Sequence, residues 1–185
     1  MTHVTTTPEA ITPFVVECAG KLSEEPPRYV EYVAYPRTME SMCFENVDRM
    51  IKLHGGKRIM GWLLWEWPGV MIDAEHHAVW KKADGTWEDV TPKQDGETRI
   101  VFVRDDVALY DNNRSQLNRK FAARGNTLAR EYIALRQEAE KVWNKHRQTG
   151  VYAIPAADLE MLQFRDGKAQ RKWNRLLARY GPQSA

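Results

Sequence analysis

The sequence predicts an α+β protein, with an N-terminal helix packed on an antiparallel β-sheet and followed by a C-terminal helical hairpin. Three observations lead there. Apolar residues recur at helical spacing up to Gly55-Gly56, a strong stop signal. Residues 57–106 hold strand-like stretches separated by short turns. From about Ser115 onward the apolar residues return in steps of three, four or seven. The 185 residues suit one domain of ordinary size, or one domain with an appendage.

In chain order, residues 1–13 are rich in Thr and Pro and read as a flexible arm. The stretch "FVVECAGKL" fits a short helix or a strand, and the Pro26-Pro27 pair then interrupts regular structure. "YVEYVAYP" alternates aromatic and branched residues and reads as extended. In "TMESMCFENVDRMIKLHGG", Thr38 and Ser41 are both suitable N-caps. Ser41, Phe44, Val47 and Ile51 form one stripe flanked by Met50, which sets Cys43 in the first turn. Two strands follow, "KRIMGWLLWEW" and "GVMIDAEHHAVWKK", split at Pro68-Gly69. Asp84-Gly85 is the best hairpin signal in the chain, "TWEDVTP" is the returning strand, and "TRIVFVRDD" is a further one. Phe121, Leu128, Tyr132, Leu135, Ala139 and Val142 make the seam of one C-terminal helix, which Gly150 and Pro155 end. Leu159, Leu162, Ala169, Trp173, Leu176 and Tyr180 make the seam of the second, with Gly167 placed to interrupt it.

Composition excludes several classes. No apolar run approaches the roughly 18–20 residues that span a bilayer, because Glu66 and Pro68 break the longest candidate. The N-terminus lacks a basic segment followed by an apolar one, so a cytoplasmic location and no membrane partner are expected. Cys18 and Cys43 make no disulfide framework, and a reducing compartment disfavours a single bridge. There is no CxxC pair and no HExxH, so neither a metal nor another cofactor is expected. Residues 1–113 carry 12 Lys+Arg against 19 Asp+Glu, a net −7, whereas residues 114–185 carry 15 against 6, a net +9. The chain therefore divides into an acidic body and a basic helical extension.

Three residue types in order point to chemistry. A thiolate is the reactive form of cysteine, and the N–H groups at a helix N-terminus favour negative charge there. The same amides could receive an oxyanion, although an ordinary buried cysteine is the competing reading for Cys43. Strand alternation sends His76 and His77 to opposite faces, with Val79 on the His77 face and Trp80 on the His76 face. The Asp84-Gly85 turn brings Asp89 alongside the histidine strand, where a carboxylate could accept Nδ1–H and hold the ring. Glu88 points to the other face and is its rival.

The stretch "HHAVWKKADGTWEDVTP" resembles the transglutaminase-like branch of the papain-like cysteine-enzyme superfamily. The likeness covers about residues 35–105, in the order cysteine, histidine, aspartate. It implies Cys43 as nucleophile, His77 as base and Asp89 as orienting acid, on a helix packed against an antiparallel sheet. Asn46, or the Tyr35–Arg37 segment, would take the place of the family's oxyanion-hole glutamine. Trp62, Trp65 and His76 are candidates to line the substrate cleft. The function implied is a thiol-dependent enzyme acting on an amide or acyl group, with a protein or peptide as its substrate. The alternative is an inactive scaffold serving as an adaptor. Its basic helices would hold an acidic protein or nucleic acid through Arg119, Lys120, Arg124, Arg171, Lys172 and Arg175.

Overall fold

The computed structural model describes residues 4–93, 96–107, 116–148 and 154–181. It is a mixed α+β chain that divides into two compact units. One runs to Trp67 and includes Ile72–Lys120; the other combines Pro68–Met71 with the chain from Phe121 onward.

In the first unit the order is α1 (Pro13–Gly20), β1 (Arg28–Tyr32), α2 (Cys43–His54), β2 (Lys57–Trp67), β3 (Met71–Lys81), β4 (Trp87–Asp89) and β5 (Arg99–Arg104). The sheet order is β2-β5-β1-β4-β3, and β2 also pairs with β3, so five strands close into a barrel. The short connections predict a mostly antiparallel sheet. The structure departs from this at β1 and β4, which run parallel with Glu31 opposite Glu88 and Tyr32 opposite Asp89. Parallel pairing is open to them because β1 and β4 are far apart in the chain and need no hairpin between them. Val30, Ile59, Leu63, Val79, Ile100 and Phe102 form one buried cluster drawn from four of the barrel strands. On the other face of β3, Ala78 and Trp80 pack with Phe44, Val47 and Met50 of α2. This is the amphipathic stripe doing what its spacing requires.

Barrel closure constrains backbone approach at Gly61. A Cβ built there would lie 2.0 Å from the Val103 carbonyl oxygen and 2.7 Å from Phe102 Cζ. Gly61→Ala is therefore expected to destabilise the fold by about 1–3 kcal/mol, read as a lower urea midpoint.

The N-terminal arm corrects an expectation of flexibility. Thr6 exchanges both backbone hydrogen bonds with Glu66, at 2.9 and 2.8 Å. Thr7 donates its N–H to Glu97 at 2.8 Å and its hydroxyl to the Arg99 carbonyl at 3.0 Å. The polar threonines tie the arm to the sheet edge instead of solvating it.

The helical region begins later than the apolar spacing predicts. Residues Arg119–Ala122 form a strand, β6, that pairs with β3. Gly125 then adopts φ +81°, and Asn126 caps the next helix by accepting from Ala129 N–H at 2.9 Å. The helices are α3 (Thr127–Gln148) and α4 (Ala156–Tyr180), the latter continuous through Gly167. Among the described residues of α3, Ala129, Ile133 and Ala139 are buried, and Leu128, Tyr132, Leu135 and Val142 of the predicted seam are half-buried beside them, while Leu162, Ala169 and Leu176 of α4 recur every seventh residue. Tyr132 and Trp173 meet with ring centroids 5.3 Å apart. Part of the basic charge is spent inside this pair: Arg136 bonds Asp166 at 3.1 Å, Arg165 bonds Glu138 at 2.9 Å, and Lys172 pairs with Glu131. No helix among the described residues is long and apolar enough to cross a membrane.

Candidate active site

Cys43 is the first residue of α2. The helix starts at the N-cap Met42, without a side-chain cap, and not from Thr38 or Ser41. Thr38 instead turns its hydroxyl to the Tyr35 carbonyl at 2.8 Å. Ser41 holds φ +59°, a left-handed conformation uncommon for a residue with a Cβ. With no capping oxygen, the positive end of the helix dipole faces whatever charge the Cys43 sulfur carries. Cys43 is 5% exposed and Cys18 is wholly buried, both as free thiols. Burial pushes the Cys18 thiol up to about 12, leaving it inert at neutral pH.

β3 places His77 on the same face as Glu75 and Val79. The helix-facing histidine is its neighbour. The His76 ring lies 5.2 Å from Phe44 and 5.5 Å from Trp62, and its Nδ1 accepts from the Gln116 N–H at 3.0 Å. His77 is 1% exposed. Its Nε2 lies 3.1 Å from Asp89 Oδ1, so Nε2, and not the expected Nδ1, faces the carboxylate. An ionised carboxylate only accepts, which places a proton on Nε2. Nδ1 makes no well-directed hydrogen bond among the described residues. Burial alone would lower the imidazole pKa, but the charges of Cys43 and Asp89 outweigh that and raise it to about 10.

Asp89 is fully buried. Desolvation opposes its ionisation, yet His77 and Lys93 hold its carboxyl below the usual carboxylate range. Oδ1 also accepts the Thr91 N–H at 3.0 Å. Lys93 Nζ lies 2.6 Å from Oδ2 with a side chain only 6% exposed. That contact is one of charge, because Oδ2 receives no well-directed N–H. Glu88, the rival acid, turns away to Tyr35 and Lys82.

Cys43 and His77 both line a cavity of about 310 Å³, whose other walls include Trp65, Glu75, Thr91 and Lys93. Of the residues predicted for substrate binding, Trp65 lines this cavity, whereas Asn46, Trp62 and His76 do not. Asn46 is buried and its amide is consumed: Oδ1 accepts from Met39 N–H at 2.9 Å, and Nδ2 donates to the Met39 carbonyl at 2.7 Å and to Thr91 Oγ1 at 3.2 Å. It fixes the loop that delivers Cys43. Trp62 is in the core, its indole donating to Asp105 at 2.9 Å. Lys93 escaped the sequence reading, its only local signal being its position four residues after Asp89; Glu75 stands two before His77. Among the described residues no group of three or more His, Cys, Asp or Glu side chains could hold a metal ion.

No family model, curated protein or solved structure matches the chain.

Proposed function

We propose that this protein is a thiol-dependent enzyme acting on an amide or acyl group, built on a transglutaminase-like or papain-like arrangement. One observation carries the reading: a buried imidazole bound to a buried carboxylate through Nε2, with Nδ1 left over and its charge tied to Cys43, which lines the same cavity.

In this reading Cys43 and His77 form a thiolate–imidazolium pair held by Asp89. The sulfur attacks the carbonyl carbon and the carbonyl π pair moves to oxygen, where the head of α2 offers backbone dipoles. As the tetrahedral adduct collapses, the C–N bond breaks and His77 gives its Nδ1 proton to the departing amine, leaving a thioester. The now neutral imidazole removes a proton from water, or from an acceptor amine, as that nucleophile attacks the thioester. The C–S bond breaks, and the sulfur leaves as thiolate beside the regenerated imidazolium.

The test is acyl-enzyme trapping with a p-nitrophenyl ester, followed by mass spectrometry. A burst of nitrophenol and a stable acyl adduct on the Cys43 peptide are expected in the wild-type chain, with neither in Cys43→Ala. A burst that persists in folded Cys43→Ala removes the proposal.

A further inference from the structure

We infer that Glu75 and Trp65 form a cation-recognising subsite beside Cys43, so that the substrate carries an ammonium or guanidinium group near the susceptible carbonyl. The inference rests on the thiol-enzyme reading and adds the substrate class to it.

Glu75 lies two residues before His77 on β3, on the same face, roughly 6–7 Å along the strand. Trp65 is on β2, the hairpin partner of β3. Its indole Nε1 donates to Glu75 Oε2 at 2.8 Å. That bond fixes the carboxylate while using one of the roughly four acceptor positions an ionised carboxyl offers. Both side chains line the cavity that holds Cys43 and His77. An aromatic surface next to an oriented carboxylate is the combination that binds organic cations, through charge and through the ring quadrupole.

The remaining charges around the cavity cancel. The lining ammonium of Lys93 is matched by Asp89 at 2.6 Å. The imidazolium of His77 is matched by the sulfur it activates. What is left is the negative charge of Glu75. In a walled cavity such a charge concentrates cations and repels anions. An anionic or neutral substrate would leave the Glu75 carboxylate desolvated without a counter-ion, with the Trp65 indole as its hydrogen-bond donor.

The experiment uses the full chain and thiol reagents that differ in charge. Cys43 is modified at low salt with the ethyltrimethylammonium, neutral methyl and ethylsulfonate methanethiosulfonates, and its peptide is followed by mass spectrometry. The cationic reagent is expected to react at least about tenfold faster than the anionic one. Glu75→Gln keeps an acceptor for the Trp65 indole and should cut that ratio at least about threefold. In the wild-type chain the ratio should also fall as salt rises, a readout that needs no variant. A second arm measures protection of Cys43 from neutral iodoacetamide by N-acetyl-lysinamide, N-acetyl-argininamide and leucinamide, against neutral N-acetyl-leucinamide. Protection by one of the cationic compounds identifies the source of the charge as a side-chain amine, a guanidinium or a chain terminus. A reagent ratio indifferent to both Glu75→Gln and salt, or protection no better than the neutral control gives, overturns the inference. Those results would leave the thiol-enzyme reading intact. That reading fails separately, if iodoacetamide alkylates Cys43 equally fast with and without His77.

Discussion

At pH 6, iodoacetamide is expected to alkylate Cys43 in the wild-type chain at least about tenfold faster than in His77→Ala, with the two rates converging above about pH 9. The reason lies in who carries the proton. A free thiol ionises near ~8.5, so at pH 6 only a fraction of a percent of it is thiolate. In the native site the imidazole of His77 stays protonated to about pH 10, sustained against burial by the charges of Cys43 and Asp89. In the proposed pair, that cation is what favours the anionic form of the sulfur. Removing the imidazole removes that cation, and the rate should then climb with pH as an ordinary thiol's does. The gain is smaller than the change in thiolate fraction alone, because a stabilised thiolate is a weaker nucleophile. Cys18 does not obscure the measurement, since its thiol is buried and pushed up to about 12. Equal rates at pH 6 would mean that the sulfur and the ring do not act as a pair.

Proton linkage gives the same coupling a sign. The folded-state pKa of His77 is raised from 6.5 to about 10. The native state therefore holds a proton that the unfolded chain releases. This contribution to stability is fully present below pH 6.5 and is lost as pH rises through about 10. Asp89 works at the opposite end. Its carboxyl is lowered from 3.8, so its contribution is present above that value and is lost as pH falls through the lower, native one.

What was legible in the sequence was local. Gly55-Gly56 ends α2, Pro68-Gly69 separates β2 from β3, and Asp84-Gly85 turns β3 into β4, because each acts through its own backbone preferences. Those three punctuation points place Cys43 at the head of a helix and set Asp89 across from the histidine strand. Periodicity could not say which histidine faces the helix, since adjacent strand residues differ only in face. It also could not foresee barrel closure, the parallel β1–β4 pair or β6, which depend on partners distant in the chain. The start of α3 was missed because Phe121 fits the helical stripe, while the Gly125-Asn126 signal that opens the helix is conformational. Trp62 and Asn46 look like site residues by type, but each polar atom they own is spent on structure.

Asp89→Ala is expected to cost about 3–5 kcal/mol of unfolding free energy at pH 7, measured by urea denaturation. Asp89 faces two buried cations: His77 on Oδ1 at 3.1 Å and Lys93 on Oδ2 at 2.6 Å. It also accepts the Thr91 amide, which in turn connects to Asn46 and the loop before Cys43. Truncation strips the Lys93 ammonium of its carboxylate partner in a low-dielectric pocket and leaves the His77 imidazolium supported by the Cys43 sulfur but no longer by a carboxylate. The ammonium must then lose a proton or find water, the imidazolium is more easily deprotonated, and both changes weaken the native state. Asp89→Asn keeps the shape and one acceptor, so it should cost less, while lowering the pH at which His77 titrates. Combining Asp89→Ala with Lys93→Met removes one of the stranded charges and should recover part of the loss. A double mutant no more stable than Asp89→Ala alone would show that Lys93 reaches water without its partner. The ion pair would then carry little of the site's energy.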